Sequence, residues 1–170
     1  DSTLSVIRPK GAHQALLVNG KIVASSARQD VQCQYALGHL PMLLHPDPER
    51  VFVLGMGTAM TVGATSVHPE VESITLVEIV PGVAAAARTF HEANHDVLDH
   101  PKLNVVWNDG RNWLLTTRER YDVITADPTH PWTRGSAYLY TKEYYALAAD
   151  RLRPGGIMCQ WLPITGISGE

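Results

Sequence analysis

The chain has 170 residues, of which 45% are hydrophobic and 18% charged, a balance that is typical of one globular domain and excludes a disordered chain. A formal net charge of −3 argues against a general nucleic-acid-binding protein, so we expect no nucleic-acid partner. Two cysteines exclude a disulfide framework and a four-cysteine zinc site, and they favour a reducing compartment, the cytoplasm.

The N-terminal part of the chain predicts a small antiparallel sheet. Residues 4–7 predict one strand, and two β-rich runs within residues 14–25 flank Asn19-Gly20, a pair that is typical of tight hairpin turns. Because the first residue is Asp1, we expect a processed or partial product. The short apolar run near this end does not match a signal peptide.

One helix is predicted next, over residues 30–44. Asp30 is a possible N-cap, and Pro41 should bend or divide the helix because proline lacks a backbone N–H. We interpret residues 1–45 as an N-terminal hairpin and helix segment, and residues 46–170 as the main domain.

Beyond residue 50, strand patterns alternate with helix patterns. Five apolar runs predict strands, at residues 51–55, 73–79, 103–107, 121–127 and 157–162. The segments between them predict helices, at residues 58–67, 81–94, 111–118 and 141–152. Strands that are separated by helices form a parallel sheet through right-handed crossovers. The expected fold is therefore an α/β sheet with helices on both faces.

The stretch between Arg50 and Glu70 has no formal charge, as a membrane-spanning helix would. Its glycines and threonines and the pair His68-Pro69 make it too polar, because a spanning helix needs about 20 mostly apolar residues. We therefore expect no direct membrane insertion. A buried strand that leads into a glycine turn and a helix explains the stretch better.

The first ligand-binding pattern is the glycine turn after residue 54. Gly55 and Gly57 let the backbone approach a ligand and leave N–H groups free at a helix start, although a plain tight turn would also explain them. Glu78 lies near the end of the next strand, about 20 residues further on, where a carboxylate can accept hydrogen bonds from both ribose hydroxyls. The alternative is that Glu78 caps the helix beginning at Pro81.

Two further acids follow neighbouring strands. Asp109, in the run NDG, can accept a hydrogen bond from an adenine amino group, or it can cap the next helix. Asp127 begins the run DPTHP. Because the carboxyl ends of parallel strands meet at one edge of the sheet, we expect Glu78, Asp109 and Asp127 to converge on one crevice.

Residues 91–95, HEANH, match the zinc-protease pattern in which two histidines share one helix face. The match falls at the end of a predicted helix in a parallel α/β chain, and His100 does not give a standard spacing for a third ligand. We interpret the match as accidental and expect no metal.

Four longer runs carry a family resemblance: VFVLGMGTAMTVGATSVHPEVESITLVEIVPGVAAAAR, NDGRNWLL, YDVITADPTHP and LYTKEYYALAADRLRPGGIMCQWLP. They resemble the spermidine synthase (polyamine aminopropyltransferase) family, in particular its divergent spermidine synthase-like branch. The resemblance covers about residues 14–163 and implies a Rossmann-like fold of the S-adenosylmethionine-dependent methyltransferase type. It also implies a nucleoside-binding domain at residues 46–170, short at its C-terminus relative to the family, and commonly a homodimer.

The resemblance assigns residues to two halves of a site. It implies that the nucleoside is bound by residues after three strands: Gly55, Gly57, Thr58, Glu78, Ile79, Asp109 and Gly110. It implies that Asp127 accepts the proton of the attacking amine. The acceptor amine would be bound by His130, Tyr140 and Gln34.

The acceptor half departs from the family pattern more than the nucleoside half. The family has an acid where this chain has His130, whose imidazole never carries a negative charge, and a Tyr-His pair where it has Cys33-Gln34. The family turn also has an acid and more glycines where this chain has Thr58 and Ala59. We therefore expect a diamine such as putrescine to be a poor substrate.

The leading hypothesis is transfer of an aminopropyl group from decarboxylated S-adenosylmethionine to a small-molecule amine, without a metal. One alternative is a methyltransferase that uses S-adenosylmethionine on an unknown acceptor. Another is a nucleoside-binding domain that has lost catalysis.

Overall fold

The computed structural model describes residues 3–133 and 135–163. Its strands are β1 (Leu4–Ile7), β2 (Ala15–Val18), β3 (Lys21–Ser25), β4 (Arg50–Leu54), β5 (Ser73–Glu78), β6 (Leu103–Trp107), β7 (Tyr121–Ala126) and β8 (Leu152–Gln160). The α-helices are α1 (Arg28–Leu44), α2 (Met60–Ser66), α3 (Val83–Ala87), α4 (Gly110–Thr116) and α5 (Lys142–Arg151). Within these ranges no helix is long and apolar enough to cross a membrane.

The strands form two sheets. An antiparallel sheet has the order β1-β2-β3, and its hairpin turns at Asn19-Gly20, both with positive φ. A parallel sheet has the order β6-β5-β4-β7-β8, with α1 to α3 on one face and α4 and α5 on the other. The predicted α/β fold is confirmed.

Side chains of the parallel strands alternate between two buried layers. In β4, Val51 and Val53 pack towards α2 and α3, whereas Phe52 and Leu54 pack towards α4 and α5. All four side chains are buried. Burial on both faces explains why the strand reads as an uninterrupted apolar run rather than as an alternating one.

Helix α1 passes through Pro41 undivided, so the division that the sequence allowed does not occur. Proline cannot donate to the carbonyl of Leu37, one turn earlier, and that carbonyl instead accepts a hydrogen bond of 2.9 Å from the hydroxyl of Thr125 in β7. The helix therefore exchanges an internal bond for one that fixes it to the parallel sheet. Asp30 is not the N-cap either, because the helix begins at Arg28 and the Asp30 carboxylate accepts a hydrogen bond from the Ser25 hydroxyl.

The helix predicted at residues 81–94 is much shorter in the structure. Helix α3 ends at Ala87, a 3₁₀ turn covers Arg88–Phe90, and turns follow. The side-chain amide of the buried Asn94 donates to the carbonyls of Thr58 and Ala87, both at 2.9 Å. These bonds tie the end of the α3 segment to the glycine turn.

Strand β8 also differs from its predicted bounds, because it begins at Leu152 rather than at residue 157. The register against β7 shifts between Tyr121 and Val123, and Gly155 has a φ of 82°. Residues 153–156, which lie before the predicted strand, are thus an irregular part of β8.

A histidine pair between α1 and the end of α2 should make stability depend on pH. Nδ1 of His39 lies 2.9 Å from Nε2 of His68. Burial lowers the pKa of His39, and His68 and His95 lower it further. Its folded-state pKa therefore lies below the unfolded value of about 6.5. The unfolded chain binds the proton more readily. We therefore expect the free energy of unfolding to fall as the pH drops from about 6.5 towards the lower pKa of the folded state.

Urea denaturation at pH 7.5 and 5.5 would test this expectation. The unmodified chain should lose more stability over this interval than a His39→Gln variant does. The exposed His13 provides the matched control, since His13→Gln should leave the pH dependence unchanged. Equal losses in the unmodified chain and the His39→Gln variant would contradict the assignment to His39.

Candidate active site

The order of the parallel sheet produces a crevice beyond the ends of β4 and β7. The chain runs outwards from β4 through β5 to β6 and then returns to β7, on the other side of β4. The connections after β4 and β7 therefore leave the sheet in opposite directions, which is where open α/β sheets bind ligands. The glycine turn, Glu78, Asp109 and Asp127 all lie at this edge.

The glycine turn leaves its backbone accessible to a ligand. Gly55 and Gly57 have φ angles of 87° and 49°, and a Cβ at Gly57 would meet no atom within 4 Å. The turn ends at Ala59, which also has a positive φ, of 62°, and is the N-cap of α2. An alanine in this conformation is strained, which accounts for the glycine expected here from the family pattern.

Glu78 supports the glycine turn through hydrogen bonds to its backbone. Its carboxylate accepts hydrogen bonds of 2.8 Å from the backbone N–H groups of Met56 and Val80, and its side chain is buried. The bond from the Val80 N–H, just before the predicted start of the next helix, is similar to the capping role that was the alternative for Glu78. Each carboxylate oxygen has two lone pairs, so both oxygens can still accept a hydrogen bond from a ligand.

Thr58 and Gln34 connect the glycine turn to α1. The Thr58 hydroxyl donates to Oε1 of Gln34, and Nε2 of Gln34 donates to the carbonyl of Asp30 at 3.2 Å. Both side chains are buried. Gln34, expected at the acceptor, thus has both polar ends bonded within the protein.

Asp109 is held from two sides at the start of α4. Its Oδ1 accepts from the N–H of Asn112 at 2.8 Å, as a helix N-cap does, and its Oδ2 accepts from the Tyr138 hydroxyl at 2.7 Å. Burial and Asp109 raise the pKa of Tyr138 to about 12, so the phenol stays a donor. Gly110 packs against Leu54, where a Cβ would come within 2.7 Å of the leucine side chain.

Ile79, which the resemblance places at the nucleoside, is 63% exposed beside Glu78. The side chain of Asp127 is open to solvent, although surrounding protein atoms reduce its hydration. This desolvation raises the pKa of Asp127 to about 6, and the negative charge of Asp30 adds to the shift. The charge of Asp30 on α1 therefore acts on Asp127, which follows β7.

Aromatic contacts and hydrogen bonds support the loop after Asp127. The ring of His130 stacks on Trp132, with centroids 4.6 Å apart and an interplanar angle of 9°, and meets Trp161 at 5.0 Å in an edge arrangement. The Tyr140 hydroxyl donates to the carbonyls of Pro128 at 3.2 Å and Thr129 at 3.1 Å. Tyr140 thus supports the loop of Asp127 and does not point freely into the crevice.

The HEANH run does not form a two-histidine face. It lies in turns, His91 is 3.7 Å from Asp96, and His95 stacks on Tyr35 at 6.0 Å. Among the residues that the structure describes, no group of three or more histidine, cysteine, aspartate or glutamate side chains could hold a metal ion.

Comparison with known proteins identifies the family. Residues 31–161 match the family model of the spermine/spermidine synthase domain. The chain belongs to the spermine/spermidine synthase family. Two relatives in it are the spermidine synthase of Dictyostelium discoideum, 32% identical over 96% of this chain, and the polyamine aminopropyltransferase of Aeropyrum pernix, 33% identical over 91%. These alignments cover 59% and 50% of the relatives, so the chain spans little more than half their length.

Solved structures of spermidine synthases have the same fold. One is a complex with the transition state analogue AdoDATO, with a TM-score of 0.84, and another is the enzyme from Thermotoga maritima, with a TM-score of 0.81. Both are 24% identical to this chain, and the matches cover 94% of it and 54% and 53% of the two structures. The methyltransferase-type fold expected for the spermine/spermidine synthase family is thereby confirmed.

Sequence reasoning missed three residues that shape the site. Asp30, predicted as a helix cap, acts on Asp127, Asn94 fixes the carbonyl of Thr58, and Tyr138 binds Asp109. Asp30 lies one turn before Gln34 on the same helix face, and this spacing could have indicated that Asp30 lies near the site. No local pattern indicates the other two.

Proposed function

We propose that this member of the spermine/spermidine synthase family transfers an aminopropyl group from decarboxylated S-adenosylmethionine to an amine. The observation that carries the proposal is Asp127, a solvent-accessible carboxylate beside the glycine turn whose pKa of about 6 suits a general base near neutral pH. The names of its relatives support the same reaction.

The nucleoside would lie along the carboxyl ends of β4, β5 and β6. Glu78 would accept hydrogen bonds from the ribose hydroxyls through its remaining lone pairs, and Asp109 would accept one from the adenine amino group. Gly55 and Gly57 would allow the donor to lie close to the turn. The spermidine synthase solved in complex with the transition state analogue AdoDATO supports a nucleoside donor site in this fold.

The reaction would be a direct displacement. The amine nitrogen forms a bond to the aminopropyl carbon that is attached to the sulfonium sulfur. The carbon–sulfur bond breaks, its electron pair stays on sulfur, and methylthioadenosine leaves. Asp127 accepts the proton that the amine loses, and the crevice aligns nitrogen, carbon and sulfur. The sulfonium activates its own carbon, so the proposed step requires no metal.

Product analysis separates this reaction from the alternatives. The chain should release methylthioadenosine from decarboxylated S-adenosylmethionine when a suitable amine is present. Release of S-adenosylhomocysteine from S-adenosylmethionine would instead indicate a methyltransferase. Methylthioadenosine binding without turnover of any amine would indicate a domain that has lost catalysis.

Three sequence-based expectations remain predictions beside this proposal. They are the division of the chain after residue 45, a homodimer and a cytoplasmic location. Sedimentation analysis of the purified chain would test the homodimer.

A further inference from the structure

An aromatic wall lies beside Asp127, on the side away from the glycine turn. It consists of His130 and Trp132 in the loop after β7 and of Trp161 after β8. The backbone N–H of Trp161 donates to the backbone carbonyl of Ala126 at 3.0 Å. Trp161 is therefore fixed next to the residue that precedes Asp127, so an acceptor held at Asp127 has this wall within reach.

The wall carries no negative charge. The sequence contains no aspartate or glutamate from residue 128 to residue 142, or from residue 151 to residue 169. The carbonyls of Pro128 and Thr129 are uncharged, and they share the hydroxyl proton of Tyr140. Within the described residues the buried Nδ1 of His130 has no hydrogen-bond partner.

Negative charge is concentrated at the other end of the crevice. Asp127 and Asp30 lie close enough for the charge of Asp30 to act on Asp127. Both carboxylates therefore attract the ammonium that reacts. A second ammonium at the wall would lose part of its hydration without gaining a carboxylate, and His130 covers one of the two faces of Trp132.

Resting on the aminopropyl transfer proposed above, we propose that the acceptor is a primary amine with a single positive charge, whose uncharged tail packs against the wall of His130, Trp132 and Trp161. The Asp127 end holds the reacting nitrogen, and the wall holds apolar atoms. The site would thus select against diamines.

Putrescine and pentylamine provide a matched pair of probes. They have the same number of non-hydrogen atoms, and pentylamine has a methyl group where putrescine has its second ammonium. Calorimetry with the chain saturated with methylthioadenosine should give at least tenfold tighter binding of pentylamine. Equal or tighter binding of putrescine would overturn the inference, and so would a failure of both amines to bind.

Variants at the wall and across the crevice sharpen the test. His130→Asp should improve putrescine binding at least tenfold, whereas His130→Asn, of the same size without the charge, should not. If putrescine bridges Asp127 and Asp30, it will bind more tightly than pentylamine, and Asp30→Asn will remove that advantage. This result would also overturn the inference, and the two probes decide it even if His130→Asp does not fold.

The test also separates this inference from the proposed function. Tighter pentylamine binding without methylthioadenosine release from decarboxylated S-adenosylmethionine would refute the transferase and keep the uncharged-tail site. Methylthioadenosine release that is fastest with putrescine would keep the transferase and refute the uncharged tail. If methylthioadenosine itself does not bind, the proposed function fails, and the order of amine affinities is measured on the free chain.

Discussion

Asp127→Asn is expected to lower kcat for aminopropyl transfer by about 10²–10⁴-fold, the usual contribution of a positioned general base. Asparagine has almost the same shape but cannot accept the proton of the amine. Methylthioadenosine affinity should change little, because Glu78 and Asp109 are assigned to the nucleoside. Steady-state release of methylthioadenosine and calorimetry with the same compound measure the two effects.

The pH dependence should identify Asp127 as the base. In the unmodified chain the slope of log kcat/KM against pH should change near pH 6, where Asp127 loses its proton. In Asp127→Asn this change should be absent. The difference in kcat/KM between the unmodified chain and Asp127→Asn should also shrink towards about pH 10, where a free alkyl amine has begun to lose its own proton. A deficit that is independent of pH would contradict the assignment.

The stability of Asp127→Asn distinguishes the loss of a catalytic base from unfolding of the variant. The pKa of Asp127 is raised in the folded chain, so the folded state binds this proton more tightly than the unfolded state, whose value is about 3.9. The cost of ionising Asp127 is complete above about pH 6 and absent below about pH 4. Asp127→Asn should therefore be more stable than the unmodified chain at pH 7.5 and not at pH 4. The exposed Asp150, replaced by asparagine, is the matched control.

The convergence of the site at one edge could be predicted from the sequence. Glu78, Asp109 and Asp127 lie at or just beyond the ends of runs whose apolar character marks them as buried parallel strands. Parallel strands place such positions at one edge whatever the remaining contacts are. Topology alone therefore accounts for this part of the site, and the order of the five strands agrees with it.

The supporting contacts could not be predicted, because each joins residues that are far apart in sequence. Thr125 replaces the bond that Pro41 cannot make, Asn94 ends α3 and holds Thr58, and Tyr138 donates to Asp109. Periodicity records which face of an element is apolar, but it does not record which polar group meets which across the fold. The errors at Pro41 and at the end of α3 both come from this limit.

Glu78→Ala is expected to affect both folding and nucleoside binding. The carboxylate is buried and accepts from the N–H groups of Met56 and Val80. Each donor that loses its partner away from water costs about 1–3 kcal/mol, so the loss of both should lower the free energy of unfolding by about 2–6 kcal/mol. A carboxylate that served only the ribose, as one of the two sequence interpretations has it, would cause little loss. Urea denaturation measures this effect, and Glu72→Ala at an exposed position is the control.

Methylthioadenosine affinity should drop at least about tenfold in Glu78→Ala, since two charge-assisted hydrogen bonds are lost. Distortion of the turn could cause the same drop, so Glu78→Gln and a 2′-deoxy analogue of methylthioadenosine are needed. If Glu78 binds the ribose, the unmodified chain prefers methylthioadenosine to the analogue, and Glu78→Gln loses most of that preference. If Glu78 only braces Met56 and Val80, the preference persists in Glu78→Gln while overall affinity falls. A persistent preference would remove Glu78 from the nucleoside site and leave it as the support of the glycine turn.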